Sequence, residues 1–390
     1  MELINLYGKS FSHPPTMIAR APGRVNLLGE HVDYNQGPVL PVAIDREVRF
    51  AAAPSGRNSR IVTLHALDLN DQVSFDLDLI DAKITLQGKP LPDWSLYPAG
   101  VAWAMREAGC PLSGMEVIYT SSVPIGAGLS SSAAVEVGFA VLWQALAGWQ
   151  ADPLTLAQIC QRAENEFVGV SCGLMDQFSS ACGVEGHALY FDTRSLAWQP
   201  APLPAGVNII IADSGVRRTL TTSAYNERRA ACEQAVELLR QYLPGIHSLR
   251  DVSPPELMAY SQFLPPIVHR RAEHVVKEIA RVESALSALQ RQNSRAFGAL
   301  MFAGHASLRD LYEVSTPELD ALVEIARGQP GCIGARLTGA GFGGCTVNLV
   351  ENAQAEAFML GLRQGYEEKT GRQAQVYLCQ ASQGASCTII

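Results

Sequence analysis

The sequence has little charge and no basic excess. Charged residues make up 17% of the 390 residues, and the formal net charge is −8 at pH 7. A net negative charge repels nucleic acid and anionic membranes, so we expect neither as a partner. The low hydrophobicity typical of disordered chains is also missing, because 47% of the residues are hydrophobic. The length and composition therefore predict a compact folded protein of two or three domains.

The cysteines form no pattern that would build a disulfide framework or a zinc site. There are nine of them, an odd number, and no two have the C-x-x-C spacing. We therefore expect reduced thiols in a cytoplasmic protein. The first residues, MELINLYGKSFSH, contain no apolar run typical of a signal peptide. The most apolar window, Leu129 to Trp149, contains Glu136 and Gln144, which favours a core helix over a membrane span.

A glycine- and serine-rich segment, VPIGAGLSSSAA at 123–134, is the most informative stretch. It follows an apolar run typical of a strand (115–119) and precedes one typical of a helix (133–147). A glycine turn at a helix N-terminus brings free backbone N–H groups and hydroxyls to a phosphate. We therefore predict a phosphate-binding loop, with an ordinary strand–helix turn as the alternative. The Gly-Lys-Ser at 8–10 is no Walker loop, because Leu3 stands where that motif needs glycine.

A turn-rich segment between Ile18 and Glu47 carries a dense set of polar residues. They are Arg24, Asn26, Glu30, His31, Asp33, Tyr34 and Asn35. Carboxylates and a neutral histidine can hydrogen-bond the hydroxyls of a polyol, so this set predicts a sugar-like ligand. A solvated loop is the alternative, but apolar Val25, Leu27 and Leu28 alternate with these residues, which is unusual for an exposed loop.

Two acidic side chains follow on predicted helices. The Asp-Pro at 152–153 is an N-cap followed by proline, and it begins a helix to about residue 168 that contains Glu164 and Glu166. A glycine turn then places Asp176 at the start of another short helix. An acid at that position is either functional or a simple helix cap.

Trp94 and Tyr97 lie three residues apart on a predicted helix (94–108) and would share one face. Core packing is one interpretation of this pair, and contact with an adenine ring is the other.

The segment PAPLPAG at 200–206 is the best linker candidate, and we place the domain boundary there. The part that follows predicts strands and helices in the order of an α+β plait. The GAGFGG at 339–344 has the spelling of a dinucleotide-binding loop, but a strand (CTVNLV) follows it where that fingerprint requires a helix. We interpret it as a strand–strand turn whose glycines make room for a neighbouring loop or ligand.

Three of these segments together resemble the GHMP small-molecule kinases. They are GRVNLLGEHVDYNQG (23–37), VPIGAGLSSSAA (123–134) and LTGAGFGGC (337–345). The first segment, with CGLMDQ (172–177) and AYNERR (224–229), is similar to the galactokinase family within that superfamily. The resemblance implies an α+β fold of two GHMP kinase domains with the active site in the cleft between them. An N-terminal ribosomal-S5-like α/β domain would span 1–203 and a C-terminal ferredoxin-like α/β plait 204–390.

The resemblance also implies a reaction, in which ATP phosphorylates the anomeric hydroxyl of D-galactose to give galactose 1-phosphate and ADP. Asp176 would be the catalytic acid, and Arg24 would stabilise charge in the transition state. The implied sugar-binding residues are Glu30, His31, Asp33, Gly173 and Tyr225. The implied ATP-binding residues are Gly126, Ala127, Gly128, Leu129, Ser130, Ser131 and Ser132, with Trp94 and Tyr97 near the adenine. Mg²⁺ would be held by Ser132 and Glu164, which selects Glu164 over Glu166.

Two other functions stay open at this stage. One is a kinase for a related sugar such as N-acetylgalactosamine, since pocket volume cannot be read from a sequence. The other is a non-catalytic galactose and ATP sensor, although such a protein would usually have lost part of the phosphate loop or of the catalytic pair. Val32 departs from the family pattern, in which threonine is common, and we expect little consequence. We also expect a monomer.

Overall fold

The computed structural model describes residues 2–124, 126–217 and 221–390. Ile125, in the predicted phosphate loop, therefore lies outside the described residues. The described ranges contain thirteen β-strands and eleven α-helices. The strands are β1 (Met17–Asn26), β2 (Pro38–Val39), β3 (Pro41–Pro54), β4 (Ile61–Ala66), β5 (Asp71–Asp76), β6 (Met115–Ser121), β7 (His187–Asp192), β8 (Trp198–Pro202), β9 (Val207–Asp213), β10 (Cys332–Leu337), β11 (Cys345–Glu351), β12 (Gln375–Cys379) and β13 (Ser386–Ile389). The helices are α1 (Glu2–Phe11), α2 (Leu96–Glu107), α3 (Ser131–Ala147), α4 (Pro153–Arg162), α5 (Met175–Cys182), α6 (Thr221–Leu239), α7 (Pro254–Tyr260), α8 (Pro266–Gln290), α9 (Ser294–Ser307), α10 (Pro317–Gly328) and α11 (Ala355–Thr370).

Five strands from the first half of the chain and β13 from its C-terminal end form a six-stranded sheet in the order β13-β1-β3-β6-β4-β5. Its neighbouring strands run antiparallel except β4 and β6, which are parallel. The register between β1 and β3 shifts between Pro22 and Arg24. Such a bulge redirects a side chain, and here it lies at the arginine that the sequence predicts to be catalytic.

The long apolar helix α3 packs on one face of this sheet, as its composition predicts. Gly138 lies where the helix meets the ring of Phe50, and a Cβ atom at residue 138 would lie 2.2 Å from that ring. The glycine therefore lets the helix approach the sheet closely. Helix α1 covers the other face through the fully buried ring of Tyr7.

The second half forms a four-stranded sheet in the order β10-β11-β9-β12, with helices on both faces. Alternate residues of β9 face opposite layers, as the two-residue period of a strand requires. Ile209 and Ile211 pack with residues of α8 and α9, whereas Ile210 and Ala212 pack with residues of α10 and α11. This arrangement is the predicted α+β plait.

Several local predictions differ from the structure. The proposed linker at 200–206 begins inside β8, which is the edge strand of a three-stranded sheet (β2-β7-β8), where prolines are tolerated. Strand β13 was not predicted, and it crosses back to pair with β1 in the first sheet. The helix expected over 94–108 begins at Leu96, so that Trp94 lies in a preceding 3-10 turn.

In the described parts of the chain, a membrane-spanning helix is not found, since none of the helices is both long enough and apolar enough.

Candidate active site

The predicted phosphate loop lies at the N-terminus of α3. Gly126 and Gly128 have φ angles of 72° and 81°, a region that favours glycine. Ser130 also adopts a left-handed conformation, with φ 58°, which is uncommon for a residue with a side chain. Its hydroxyl donates a short hydrogen bond to the carboxylate of Asp176. The loop therefore presents the backbone N–H groups that begin the helix at Ser131 next to the predicted catalytic acid.

The other loop residues anchor it in the protein interior. The side chains of Ala127 and Leu129 are buried. The carbonyl of Leu129 accepts a 3.1 Å hydrogen bond from the backbone N–H of Arg24. Gly23 makes this approach possible, because a Cβ atom at residue 23 would lie 2.7 Å from the same carbonyl oxygen. The phosphate loop and the first motif are thus joined through their backbones.

Arg24 and Asp176 form a bidentate ion pair between β1 and α5. Nε of Arg24 donates to Oδ1 of Asp176 at 2.9 Å, and Nη2 donates to Oδ2 at 2.7 Å. The third nitrogen, Nη1, donates to the carbonyl of Gly128 at 2.7 Å. The arginine side chain is 6% exposed and the aspartate side chain 30% exposed. Fork-like pairing of this kind fixes both groups strongly, and it fixes them beside the phosphate loop.

A cleft of about 480 Å³ opens next to this pair, and three of the predicted sugar residues line it. The lining residues are Asp33, Tyr34, Gln158, Gln161, Asn165, Ser171, Cys172, Gly173, Leu174, Thr193, Leu196, Tyr225 and Arg229. Gly173 is needed there, because a Cβ atom at residue 173 would lie 1.9 Å from Oδ2 of Asp33. Burial raises the pKa of Asp33 to about 6, and the negative charge of Asp176 contributes to that rise. An acid that lines the cleft, Asp33, is therefore near enough to Asp176 for the two charges to influence each other.

Glu30 and His31 are buried and are not among the residues that line the cleft; the glycine loop after β10 holds them. The carboxylate of Glu30 accepts a hydrogen bond from the N–H of Gly339 at 3.3 Å and forms an ion pair with Arg336. Nε2 of His31 lies 3.1 Å from the carbonyl oxygen of Ala340, so this nitrogen carries the proton and donates. Burial raises the pKa of Glu30 to about 7, and the neighbouring charge of Glu278 adds to that rise.

The ring of His31 is part of an aromatic cluster that includes the last of the predicted sugar residues. Its centroid lies 5.5 Å from that of Tyr225 and 4.8 Å from that of Tyr312. Nδ1 of His31 lies 2.9 Å from the hydroxyl of Tyr34, which in turn lies 2.7 Å from the hydroxyl of Tyr312. The fold therefore connects the first motif to the second half of the chain through hydrogen bonds as well as charge.

Glu164, predicted as a metal ligand, lies in a π-helical turn (Ala163–Val168) that continues α4. Its carboxylate accepts hydrogen bonds from Nε2 of Gln177 at 2.6 Å and from the thiol of Cys172 at 3.3 Å. Burial raises the pKa of Glu164 to about 7, and the negative charge of Asp176 also raises it. An oxygen ligand in a site with excess negative charge suits Mg²⁺, and Ser132 in the first turn of α3 would add a hydroxyl oxygen. The residues present thus fit the metal that the family resemblance implies.

Trp94 and Tyr97 point to different neighbours. Nε1 of Trp94 donates to Asp71 at 2.8 Å, and its ring centroid lies 6.3 Å from that of Tyr119. Burial raises the pKa of Tyr97 to about 12, and the charges of Glu164 and Glu136 contribute, which places this phenol near the predicted metal ligand. Contact of either ring with an adenine stays a prediction.

Sequence reasoning missed three residues that the structure brings to the site. Gln177 bridges Glu164 and Glu136 with its amide nitrogen, and Arg336 pairs with Glu30. Arg217 lies beside the phosphate loop, with its Cδ 3.6 Å from where a Cβ atom of residue 126 would be. One available signal was the arginine within the apolar run CIGARL of β10, since a charged residue in a buried strand needs a partner.

Comparison with known proteins finds relatives along the whole chain, and they belong to the family that the motifs resemble. The model of the galactokinase galactose-binding signature matches residues 5–54, and models of the GHMP kinase N-terminal and C-terminal domains match residues 97–184 and 285–368. A galactokinase of Roseiflexus sp. (strain RS-1) is 47% identical over 98% of this chain and 96% of its own. A galactokinase of Chloroflexus aurantiacus is 46% identical over 99% and 98%, respectively.

Solved structures agree with these matches. The structure of Lactococcus lactis galactokinase in complex with galactose has a TM-score of 0.92 and 34% identity, and the alignment covers 99% of this chain and 98% of that one. The mevalonate kinase of Methanococcus jannaschii shares the fold at 19% identity, with a TM-score of 0.66 over 94% and 98% of the two chains. With a galactose-binding signature, both GHMP domains and full-length relatives at this identity, the chain belongs to the galactokinase family of GHMP kinases.

Proposed function

We propose that Asp176 and Arg24 carry out the galactokinase reaction in this chain, the transfer of the γ-phosphoryl group of ATP to the anomeric hydroxyl of D-galactose. The observation that carries this proposal is the position of their bidentate pair. One arginine nitrogen donates to the phosphate loop at Gly128, while the carboxylate of Asp176 lies close enough to Asp33 and Tyr225, which line the cleft, for its charge to act on both. The pair therefore lies where a phosphate and a sugar hydroxyl would meet.

Arg24 acts on the phosphate side of the reaction. Phosphoryl transfer depends mainly on positioning and on neutralising charge at the transferred group. A guanidinium cannot lose its proton at neutral pH, and this one is held on three sides by Asp176 and Gly128. Arg24 thus supplies a fixed positive charge at the point of transfer, and the N–H groups of the loop supply further hydrogen bonds.

Asp176 acts on the sugar side. Its carboxylate accepts hydrogen bonds from Arg24 and Ser130, which fix its orientation. The remaining lone pairs accept the hydrogen bond of the anomeric hydroxyl and aim its oxygen at the phosphorus. As the new oxygen–phosphorus bond forms and the bond from the γ-phosphorus to the bridging oxygen breaks to release ADP, the hydroxyl proton moves to this carboxylate.

Galactose binding falls to the residues that line the cleft or support it. Asp33 and Tyr225 offer polar atoms to sugar hydroxyls directly. Glu30 and His31 support the pocket from the protein interior. Bound Mg²⁺ would neutralise charge on the phosphates, and Ser132 and Glu164 would hold it.

The test is ADP release with ATP and Mg²⁺ on a panel of galactose, N-acetylgalactosamine, glucose, mevalonate and homoserine. Rapid turnover confined to galactose, and lost in Asp176→Asn, is the expected result. Turnover that prefers N-acetylgalactosamine would move the function to a sibling sugar kinase. Galactose binding without turnover on any acceptor would point to a sensor and would overturn the proposal.

A further inference from the structure

A buried charge cluster joins the two halves of the chain. Arg336 on β10 is fully buried, and its guanidinium pairs with both Glu30 and Glu278. Nη1 donates to Oε1 of Glu278 at 2.8 Å and to the carbonyl of Leu27 at 3.3 Å, and Nε donates to the carbonyl of Leu337 at 3.2 Å. The side chain is therefore held in one orientation.

The two glutamates of this cluster are supported unequally. Glu278 on α8 receives hydrogen bonds from Arg336, from Nε of Arg281 at 2.6 Å and from the backbone N–H of Gly29 at 2.9 Å. These charges hold the pKa of Glu278 far below its usual range despite its burial. Among the described residues, Glu30 forms an ion pair with one arginine, Arg336, and burial raises the pKa of Glu30 to about 7. Glu278 thus fixes Arg336, and Arg336 is the group on which Glu30 depends.

We propose that Arg336 is a positioning residue for galactose, which orients the Glu30 carboxylate toward the sugar from the second half of the chain. The inference rests on the proposed role of Glu30 in sugar binding. Two arginines and two glutamates make the cluster electrically balanced when Glu30 is ionised. The carboxylate can then stay buried and charged, and it keeps lone pairs for a sugar hydroxyl.

Gly304 on α9 shows how closely the fold fits around this arginine. A Cβ atom at residue 304 would lie 2.9 Å from Nη1 of Arg336 and 3.1 Å from Cδ2 of Leu28. Because the guanidinium is held by four partners, an added methyl group would displace it. Alanine itself favours the helix more than glycine does. Gly304→Ala therefore disturbs Arg336 without removing its charge and with an intrinsic gain in helix propensity.

The variants for the test are Arg336→Lys and Gly304→Ala, each alone and combined with Glu30→Gln. Lysine keeps the charge but cannot reproduce the fork of hydrogen bonds. Gly328→Ala is the matched glycine control, since no atom outside its own neighbourhood lies within 4 Å of the added Cβ. Phe358→Leu is the stability control, because Phe358 is buried on the opposite face of the same sheet. Calorimetry gives the Kd values of galactose and ATP, and thermal unfolding gives the Tm of each variant.

We expect Arg336→Lys and Gly304→Ala to raise the Kd of galactose about tenfold or more, with less than a twofold change for ATP. In the Glu30→Gln background the same changes should alter the Kd of galactose by less than twofold, since there is no carboxylate left to orient. Both controls should leave this Kd unchanged. If Arg336→Lys does not fold, Gly304→Ala carries the test alone.

Equal losses for galactose and ATP, or an undiminished effect in the Glu30→Gln background, would make the cluster a purely structural ion pair and overturn the inference. A Glu30→Gln protein with unchanged galactose Kd would overturn it too. If the wild-type protein nevertheless turns over galactose, the proposed reaction is supported and only the role of Glu30 in binding galactose is refuted.

Discussion

Two carboxylates of this site are each paired with an arginine, yet their surroundings are opposite. Asp176 on α5 is 30% exposed, and its arginine, Arg24, comes from β1 in the first half of the chain. Glu30 is 1% exposed, and its arginine comes from β10 in the second half of the chain. The first pair is partly exposed to solvent, whereas the second lies in the protein interior, between the segment after β1 and strand β10.

The difference explains what each arginine has to do. Water still solvates part of Asp176, and Arg24 links this acid to the phosphate loop at Gly128. Glu30 has lost its water, and a buried carboxylate is costly unless a charge partner and hydrogen bonds replace it. Arg336 partly offsets this cost and fixes the orientation of the Glu30 carboxylate. We expect changes at the exposed pair to act on kcat and changes at the buried pair to act on galactose affinity and stability.

The largest effect should come from Asp176→Asn. The amide cannot accept the hydroxyl proton, and it breaks the charge pairing with Arg24. We expect kcat to fall at least about 10²- to 10⁴-fold, while the Kd of ATP changes little, because the phosphate loop is built from backbone. Steady-state kinetics and ATP calorimetry measure both quantities.

Asp81→Asn is the matched control for that substitution. Asp81 also forms a bidentate pair with an arginine, at 2.8 Å for both bonds to Arg106, but this pair lies on the surface. Its loss should leave kcat within twofold of the wild type. An Asp176→Asn enzyme with near-normal turnover would refute the proposed role of the exposed pair.

A smaller and more selective effect should follow from Gly173→Ala. The new methyl group would lie 1.9 Å from Oδ2 of Asp33, so the carboxylate or the turn must move. We expect the KM of galactose to rise about tenfold, with the KM of ATP nearly unchanged. Gly328→Ala serves as the control. Parallel rises in both KM values would instead indicate a general distortion of the cleft.

The buried pair can be probed through the pH dependence of stability in Glu30→Gln. The pKa of Glu30 is raised from 4.5 to about 7, so between these values the folded state binds more protons than the unfolded state. The free energy of unfolding contributed by this group therefore falls as pH rises from about 4.5 to 7. Glutamine removes that term, and the variant should gain about 2 to 3 kcal/mol relative to the wild type across this interval.

Denaturant unfolding at pH 5 and pH 8 measures this change directly. Other titrating groups are present in both proteins, and their contributions cancel in the difference. A stability difference that stays constant with pH would mean that Glu30 titrates normally, and the contrast with Asp176 would then lose its physical basis.

Much of the exposed pair could be predicted from sequence, because its parts lie in short motifs. Arg24 and Asp176 each lie in a motif that carries the family resemblance, and that resemblance implied both roles, although the two residues are 152 positions apart. The phosphate loop lies in such a motif too, and the cap of α4 is encoded locally, since the side chain of Asp152 accepts from the N–H of Thr155 as the Asp-Pro sequence indicates. Local hydrogen bonds of this kind leave a clear pattern in the sequence.

The buried pair could not be predicted in this way. Arg336 is 306 positions from Glu30, and only the tertiary fold brings them together. For the same reason β13 was missed, since its four residues are defined by pairing with β1 at the other end of the chain. The prolines near residue 200 indicated a linker, but the first of them lie in the edge strand β8. An edge strand tolerates proline, which is why the sequence pattern was ambiguous.

A third buried acid should show the smallest effect of all and so sharpen the comparison. Glu136 on α3 is fully buried, and among the described residues its hydrogen-bond partner is the amide of Gln177 at 2.9 Å. Burial holds the pKa of Glu136 well above its usual range, and the charge of Glu164 adds to that effect. Burial therefore favours the neutral form of this carboxyl, with no arginine among its contacts in the described residues to oppose it, and glutamine has nearly the same shape. Glu136→Gln should therefore change kcat by less than twofold and the free energy of unfolding by less than about 1 kcal/mol. A tenfold loss of kcat would show instead that Glu136 acts as a charged group, and that burial without an arginine does not keep an acid of this site neutral.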